Sequence, residues 1–234
     1  MTHEELYEQL CIELEHELLE RTDELSKIEN FFDMYANSSS DVLSGIMRKS
    51  LILLLYAHFE GYCKQAFQFY IVYINRKQLP LNCVKHGIIA ANLNAEFQKL
   101  FDTNHKPISI TTLSNDGSIQ LHGRKRNFLI ECENITARMT NLDESIINTE
   151  ANLKPDVLRK ILFQLELDCS IIDAYQGEIH RLVNIRNSYA HGERSRYPSQ
   201  SEYNDYKLAA LTTMNNIKNI VEKAFYEQAY LKAV

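Results

Sequence analysis

The chain has 234 residues, of which 45% are hydrophobic and 24% are charged, and its formal net charge is −6 at pH 7. These values are typical of a soluble globular protein, and they exclude disordered and collagen-like chains. The acidic balance excludes a basic coat for nonspecific duplex binding, although it leaves room for a local basic cleft. Seven glycines and four prolines are few for strands joined by tight turns, so we expect a helical protein with a single domain, residues 1–234.

The cysteines, the histidines and the apolar segments indicate which metal sites, cofactors and cellular location to expect. Five scattered cysteines without a C-x-x-C pair do not predict a disulfide framework or a zinc site. The eight histidines lack metal-ligand spacing, so the chemistry should need no metal ion and no cofactor. No uninterrupted apolar run approaches the roughly 18 to 20 residues of a membrane span, and the N-terminus is acidic and amphipathic, unlike a signal peptide. We therefore expect a cytoplasmic protein without membrane association.

Helical periodicity begins at the N-terminus and predicts two long helices. Apolar residues recur every three or four positions through a first helix that ends near Tyr35. A second helix runs from about Val42 to Asn75, and it is apolar on most of its circumference, which predicts that it is the central element. A shorter helical stretch follows from Cys83 to Phe101.

One segment departs from the helical period. β-Branched residues flank Asn115-Asp116-Gly117, which is a strong turn signal between two strands. We therefore predict a small inserted β-hairpin near residues 108–121.

Helical patterns resume after this segment and continue to the C-terminus. Pro155 suits the first turn of a short helix, another helix covers Ile171 to Ala190, and a final helix runs from Tyr203 to about Leu231. The expected fold class is all-α, a helical bundle with long N-terminal, central and C-terminal helices and the inserted hairpin.

The stretch "LVNIRNSYAHGERSR", residues 182–196, carries the most distinctive chemistry. Gly192 marks the expected helix end, because glycine adopts the left-handed conformation without steric cost. His191 then lies at the helix C-terminus, where the partial negative charge favours a pKa near neutrality or slightly above. Five residues at about 100° each place Arg186 and His191 about 140° apart, whereas Asn187 and His191 share a face. Arg186 and His191 should therefore not converge within one molecule.

These residue types suit the cleavage of RNA without a metal ion. The ribose 2′-hydroxyl attacks the neighbouring phosphate while histidine transfers protons and arginine stabilises the charge on the phosphorane oxygens, so DNA should be inert. Four arginines face a single acid, Glu193, in the stretch from Arg181 to Arg196. The alternative is a solvated helix end, in which His191 caps carbonyl groups and Arg186 faces water, and the spacing alone favours this alternative.

Three stretches resemble a known superfamily. "HRLVNIRNSYAHGE" resembles the signature of HEPN domains, helical proteins that include many metal-independent ribonucleases. "LLYAHFEGYCKQ" resembles the central-helix motif of the RiboL-PSP-HEPN group of prokaryotic proteins, and "INTEANLKPDVLRKILFQLELD" resembles the segment before the signature helix in that group. The resemblance spans about Leu51 to Gly192. It implies a helical bundle, a homodimer that brings two signature helices together, and RNA cleavage in the cleft between them.

The resemblance also implies roles for single residues. Arg186 and His191 match the reactive pair, Asn187 matches the polar residue after the arginine, and Glu60 matches the acid of the central-helix motif. Some HEPN toxins carry a tyrosine two residues beyond the histidine, which a partner nucleotidyltransferase modifies. Glu193 occupies that position here, which puts silencing by that route in doubt.

Several further residues have two readings. Glu60 either lines the cleft and holds Arg186 or forms an ordinary i,i+4 pair with Lys64, and Tyr189 suits packing better than chemistry. A run of charges usually faces solvent, so RNA contact is the less common role of basic residues near the signature and after the hairpin. The candidate RNA-binding residues are Arg181, Arg194, Arg196, Arg124, Lys125 and Arg126. The helically spaced Tyr62, Tyr70 and Tyr73 are expected in the core or in dimer contacts.

The leading hypothesis is a homodimeric, metal-independent endoribonuclease that acts as a toxin or an anti-phage defence effector. His191 would be the general acid and base, Arg186 would bind the scissile phosphate, and Asn187 would orient either side chain. The alternative is a noncatalytic HEPN-like dimer that binds RNA or serves as antitoxin, adaptor or regulatory subunit, with a cognate antitoxin or defence-system protein as its partner. A third hypothesis is a helical structural protein whose helix merely ends in A-H-G.

Overall fold

The computed structural model describes residues 1–36, 41–107, 117–192 and 196–232. Within these ranges the chain forms eight α-helices and no β-sheet. The helices are α1 (His3–Ala36), α2 (Asp41–Arg76), α3 (His86–Asn92), α4 (Asn94–Phe101), α5 (Gly117–Glu133), α6 (Pro155–Gln164), α7 (Gln176–Ala190) and α8 (Gln200–Tyr226). The expected all-α class is confirmed.

Helix α2 is the centre of the bundle and packs against α1, α7 and α8. Many of its large side chains are fully buried, including Phe59, Tyr62, Phe67, Tyr70 and Tyr73. Each such ring contributes about 1.5–3 kcal/mol through removal of apolar surface from water. The central position of this helix and the core role of its tyrosines are therefore confirmed.

The length and mean hydropathy of the same helix also meet the criteria for a membrane span, although it contains no long uninterrupted apolar run. Among the described residues, α2 is the one helix long and apolar enough to cross a membrane, with a mean hydropathy of 1.3 over its best window. Those criteria are also met by the core helix of a helical bundle. The buried aromatic face of α2 contacts α1, α7 and α8.

The directions of the helices place the end of α7 at one end of the bundle. Near the start of α8, the Tyr203 hydroxyl donates to Glu29 Oε1 (2.5 Å) near the end of α1. At the same end, Lys49 in the first turns of α2 lies over the ring of Tyr189, 4.8 Å from its centroid. The end of α1, the starts of α2 and α8, and the end of α7 therefore meet.

Helices α1 and α2 lie where periodicity predicted them, whereas α8 ends at Tyr226, before the predicted end near Leu231. The shorter stretches are more divided than expected. The predicted helix from Cys83 to Phe101 breaks at Leu93, where α3 ends and α4 begins. The Leu93 side chain is buried in the core and is 3% exposed. Asparagines on both sides of Leu93 favour such a break, since their side chains compete for backbone hydrogen bonds. The predicted helix from Ile171 starts later, as α7, after a short 3₁₀ turn over Cys169–Ile172.

The predicted β-hairpin near residues 108–121 is wrong. Its second strand is helical, because α5 begins at Gly117, whereas residues 108–116 lie outside the described residues. Helix α5 packs on α4, where the rings of Phe97 and Phe128 lie 4.9 Å apart. Arg124 also donates to the carbonyl oxygens of Leu100 (3.0 Å) and His105 (3.3 Å). These tertiary contacts outweigh the local turn signal.

The buried imidazole of His58 on α2 makes stability depend on pH. Burial, opposed by Glu24 and assisted by Arg21, lowers the pKa of His58 below its ordinary value of 6.5. As pH falls below 6.5, the unfolded chain binds a proton at His58 more readily than the folded chain does. Proton binding therefore favours the unfolded chain, and the protein loses stability in this pH range.

We expect the free energy of unfolding to fall more steeply in wild type than in His58→Gln between about pH 7.5 and about pH 5.5. Urea titrations across this range measure both slopes. His122→Gln, at an exposed position on α5, controls for the loss of one imidazole. Parallel slopes for wild type and His58→Gln would contradict the assignment.

Candidate functional site

Helix α7 ends as the sequence predicted. His191 is its C-cap residue, and the His191 amide donates to the Asn187 carbonyl (3.0 Å). Gly192 follows with φ of 73°, a left-handed conformation that only glycine adopts without strain. The His191 side chain is exposed at this end of the helix, where solvent and ligands can reach it.

Arg186 lies one turn earlier and is half-buried against α2. Its guanidinium carbon is 4.4 Å from the centroid of the Tyr56 ring, a cation–π contact that contributes about 0.5–2 kcal/mol. Its Nη1 donates to Asn187 Oδ1 (2.8 Å) and to Asn152 Oδ1 (3.3 Å). The guanidinium is thus held at one face by a ring and at one nitrogen by two amide oxygens.

Tyr56 is the residue through which three segments meet. It is 1% exposed, and its hydroxyl accepts a hydrogen bond from the Leu153 amide (2.8 Å). Burial, and then the charge of Glu60, raises the pKa of the Tyr56 hydroxyl, while Arg186 acts in the opposite direction. Residues of the central helix, of the "TEANL" segment and of α7 therefore converge here.

The turn that carries Asn152 has an unusual backbone. Glu150 and Ala151 both adopt left-handed conformations, with φ of 52° and 55°, which cost about 1–2 kcal/mol each for a residue with a Cβ. Asn148 Oδ1 accepts from the Glu150 amide (2.8 Å), and the Asn152 amide donates to the Thr149 carbonyl (2.9 Å). These bonds hold the strained turn in place and direct Asn152 toward Arg186.

Sequence reasoning missed both Tyr56 and Asn152. Each lies inside a stretch that carried the family resemblance, "LLYAHFEGYCKQ" for Tyr56 and "INTEANLKPD" for Asn152. That location is the signal that could have singled them out. Their contact with Arg186 joins positions far apart in sequence, which no local pattern indicates.

Glu60 is half-buried one turn beyond Tyr56 on α2. Among the described residues, Glu60 forms no ion pair with Lys64 and none with Arg186. Its charge is one of the causes that raise the pKa of the Tyr56 hydroxyl, after burial. The next residue, Gly61, admits the guanidinium of Arg21 from α1, since a Cβ at Gly61 would lie 2.6 Å from Arg21 Nη1.

Tyr189 packs at the end of α7. Its side chain is 5% exposed, and its hydroxyl donates to the Arg196 carbonyl (3.1 Å). The chain after Arg196 then crosses α2, where Arg48 Nε donates to the Pro198 carbonyl (2.7 Å). Tyr189 thereby ties the segment after α7 to the bundle.

Comparison with known proteins identifies a family for this chain. A model of the MAE_28990-like HEPN family matches residues 11–230. The chain belongs to the MAE_28990-like HEPN family. No curated protein and no solved structure matches it.

The predicted resemblance to the HEPN superfamily is thereby confirmed. HEPN domains are all-α, and the superfamily includes many RNases. Membership indicates a nuclease or RNA-related function as a class.

The basic side chains of this HEPN domain have different surroundings. Arg181 is exposed and donates to Glu178 Oε1 (2.7 Å). Arg196 is exposed and pairs with Glu202, whose pKa it holds, together with the Ser199 amide, at about 2. Arg194 lies outside the described residues.

The basic residues of α5 fall into two groups. Arg124 is 7% exposed and binds carbonyl groups at the end of α4, so the fold itself uses its guanidinium. Lys125 and Arg126 are exposed on α5, which packs on α4. Of the three candidate basic residues on α5, Lys125 and Arg126 are therefore open to solvent.

Arg186 and His191, the predicted reactive pair, have different surroundings in this HEPN chain. Arg186 faces Tyr56 and Asn152, whereas His191 is exposed at the helix end, and no hydrogen bond or ion pair links the two side chains among the described residues. The structure does bring Arg186 and Asn187 together with Asn152 and, through Tyr56, with Glu60. One chain thus supplies Arg186 in a fixed orientation and His191 in an exposed position.

We predict that Gly192→Ala lowers the free energy of unfolding by about 1 kcal/mol, because alanine at φ of 73° is strained although its Cβ would meet open space. Gly117→Ala is the matched control, since its Cβ would also meet open space and no left-handed conformation is required there. Urea denaturation measures both. Equal stability of wild type and Gly192→Ala would show that α7 does not need a left-handed end.

Proposed function

We propose that this HEPN protein is a metal-independent endoribonuclease. The ribose 2′-oxygen attacks the adjacent phosphorus, the bond from phosphorus to the 5′-oxygen breaks, and the products are a 2′,3′-cyclic phosphate and a free 5′-hydroxyl. His191 removes the proton from the 2′-hydroxyl and returns a proton to the leaving oxygen. Arg186 binds the phosphate, and Asn187 orients the guanidinium.

The observation that carries this proposal is the way in which Arg186 is held. Nη1 is used by two amide oxygens and one face lies on Tyr56. Among the described residues no side chain or carbonyl group accepts from Nε or Nη2. This free edge is a planar pair of donors of the kind that binds phosphate oxygens at two points.

The distribution of charge supports the binding of RNA away from the acidic surface of α1. Helix α1 carries eleven acidic and two basic residues, whereas the whole chain has a net charge of −6. The remainder of the chain is therefore net positive. A polyanion is repelled by α1 and attracted to the other faces of the bundle.

The separation of Arg186 and His191 supports a homodimer with a composite site. A two-fold axis near the end of α7 would place the histidine of one protomer beside the arginine of its partner. Exposed apolar side chains lie at the same end of the bundle, namely Phe31 and Met34 on α1 and Val42 and Ile46 on α2. Their burial in a dimer would stabilise this arrangement.

The biological setting that follows is a cytoplasmic toxin or anti-phage defence effector. An unrestrained endoribonuclease would degrade the RNA of its own cell. Such an enzyme requires restraint by a partner, such as a cognate antitoxin or another defence-system protein.

The second candidate function is a noncatalytic dimerisation or RNA-binding module that serves as antitoxin, adaptor or regulatory subunit. The bonds of Arg186 to Asn152 and Asn187 favour it, because they also suit an arginine retained to hold the fold together. Expression in a bacterial host separates the two. A nuclease slows growth unless His191 is replaced, whereas a binding module is tolerated and co-purifies with its partner.

We expect the purified protein to cleave single-stranded RNA in EDTA and to leave DNA of the same sequence intact. His191→Ala and Arg186→Ala should each lower cleavage by about 100-fold or more. His180→Ala is the matched control, because it removes an exposed imidazole from the same helix. Gel analysis of end-labelled oligonucleotides measures the rates.

Two results would refute this function. One is cleavage that requires a divalent metal ion. The other is cleavage that persists in both the His191→Ala and Arg186→Ala variants.

A further inference from the structure

Tyr56 has two separate contacts with the candidate phosphate site, one through its ring and one through its hydroxyl. We propose that Tyr56 is a positioning residue, whose ring sets the plane of the Arg186 guanidinium and whose hydroxyl holds the turn that brings Asn152 to it. The effect on catalysis rests on the proposed ribonuclease function. The orientation of Arg186 does not depend on that function.

The ring contact constrains the side chain without blocking it. An arginine side chain has four rotatable bonds and is otherwise mobile, whereas the Tyr56 ring is 1% exposed and fixed by the core. The ring covers one face of the guanidinium at 4.4 Å. The N–H donors lie in the guanidinium plane, so they stay available to a ligand at the edge.

The hydroxyl contact determines where Asn152 lies. Leu153 is fully buried, and its amide donates to the Tyr56 hydroxyl at 2.8 Å. Without that oxygen the amide would be buried without a partner in the described fold, which favours displacement of the turn. Asn152 precedes Leu153 directly, and its amide oxygen accepts from Arg186. A shift of the turn would therefore release one of the two bonds that hold Nη1.

The two contacts can be removed one at a time. Tyr56→Phe keeps the ring and deletes the hydroxyl, whereas Tyr56→Leu also deletes the ring. Tyr62→Phe and Tyr62→Leu are matched controls, because Tyr62 is equally buried on α2 and its hydroxyl contacts the Leu14 carbonyl of α1 at 3.5 Å. All four variants change the core, but only those at Tyr56 reach Arg186.

The direct readout is the NMR signal of the Arg186 Nε–H group in the full-length protein. We expect this signal to move and broaden in Tyr56→Leu, because ring-current shift and immobilisation are both lost, and to stay in place in Tyr62→Leu. In Tyr56→Phe the signal should stay close to wild type, while the Leu153 amide exchanges with solvent at least about tenfold faster. These measurements need no nuclease activity.

The catalytic readout is the cleavage rate at saturating RNA. We expect kcat to fall about 10- to 100-fold in Tyr56→Leu and less than about tenfold in Tyr56→Phe, with KM nearly unchanged, because misorientation of Arg186 weakens the transition state more than the bound RNA. The Tyr62 variants should keep wild-type kcat. A wild-type protein that does not cleave RNA refutes the proposed function and leaves the NMR test decisive for the position of Arg186.

The proposal is overturned if the Arg186 signal keeps its wild-type position in Tyr56→Leu or moves equally in Tyr62→Leu. If Tyr56→Leu does not fold, the exchange rate of the Leu153 amide and the Asn152 side-chain signal in Tyr56→Phe test the proposal. Faster exchange at Leu153 together with a shifted Asn152 side-chain signal supports the proposal. Unchanged values for both contradict it.

Discussion

The guanidinium group of Arg186 lies on the buried ring of Tyr56, 4.4 Å from its centroid. That ring belongs to α2, the helix that α1, α7 and α8 surround, so its position is determined by the packing of the whole core. Because the core fixes the ring, Arg186 is oriented before any ligand arrives. The Leu153 amide adds the turn with Asn152 to the same tyrosine. Tyr56 therefore connects the candidate site to the hydrophobic core.

Patterns within short segments predicted the parts of the molecule that local forces decide. Three- and four-residue spacing located α1, α2 and α8, and Gly192 ends α7 in the left-handed conformation expected of it. The hairpin prediction failed because a turn signal at Asn115-Asp116-Gly117 was weighed without the packing of α5 on α4. Tyr56 and Asn152 were not predicted as site residues for a related reason. Periodicity shows which face of a helix a residue occupies, but not the partner opposite it, and Leu153 lies 97 positions from Tyr56.

The separation of Arg186 from His191 connects the fold to the proposed mechanism. Helical geometry places the two side chains on different faces, and the structure keeps Arg186 against α2 while His191 is exposed beyond the last turn. A site within one chain would require both side chains to reach one phosphate from different faces of α7. A site shared between two chains requires only that two copies of α7 meet near their C-terminal ends.

Subunit complementation tests the shared site most directly. Arg186→Ala and His191→Ala chains, each inactive alone, are mixed under conditions that exchange subunits. In a composite dimer, half of the randomly mixed dimers carry one chain of each kind and retain one intact site of two, so activity should return to about a quarter of wild type. A site contained in one chain cannot be restored in this way, because every chain lacks one of its two residues. Mixtures that stay as inactive as the separate variants would contradict the composite site.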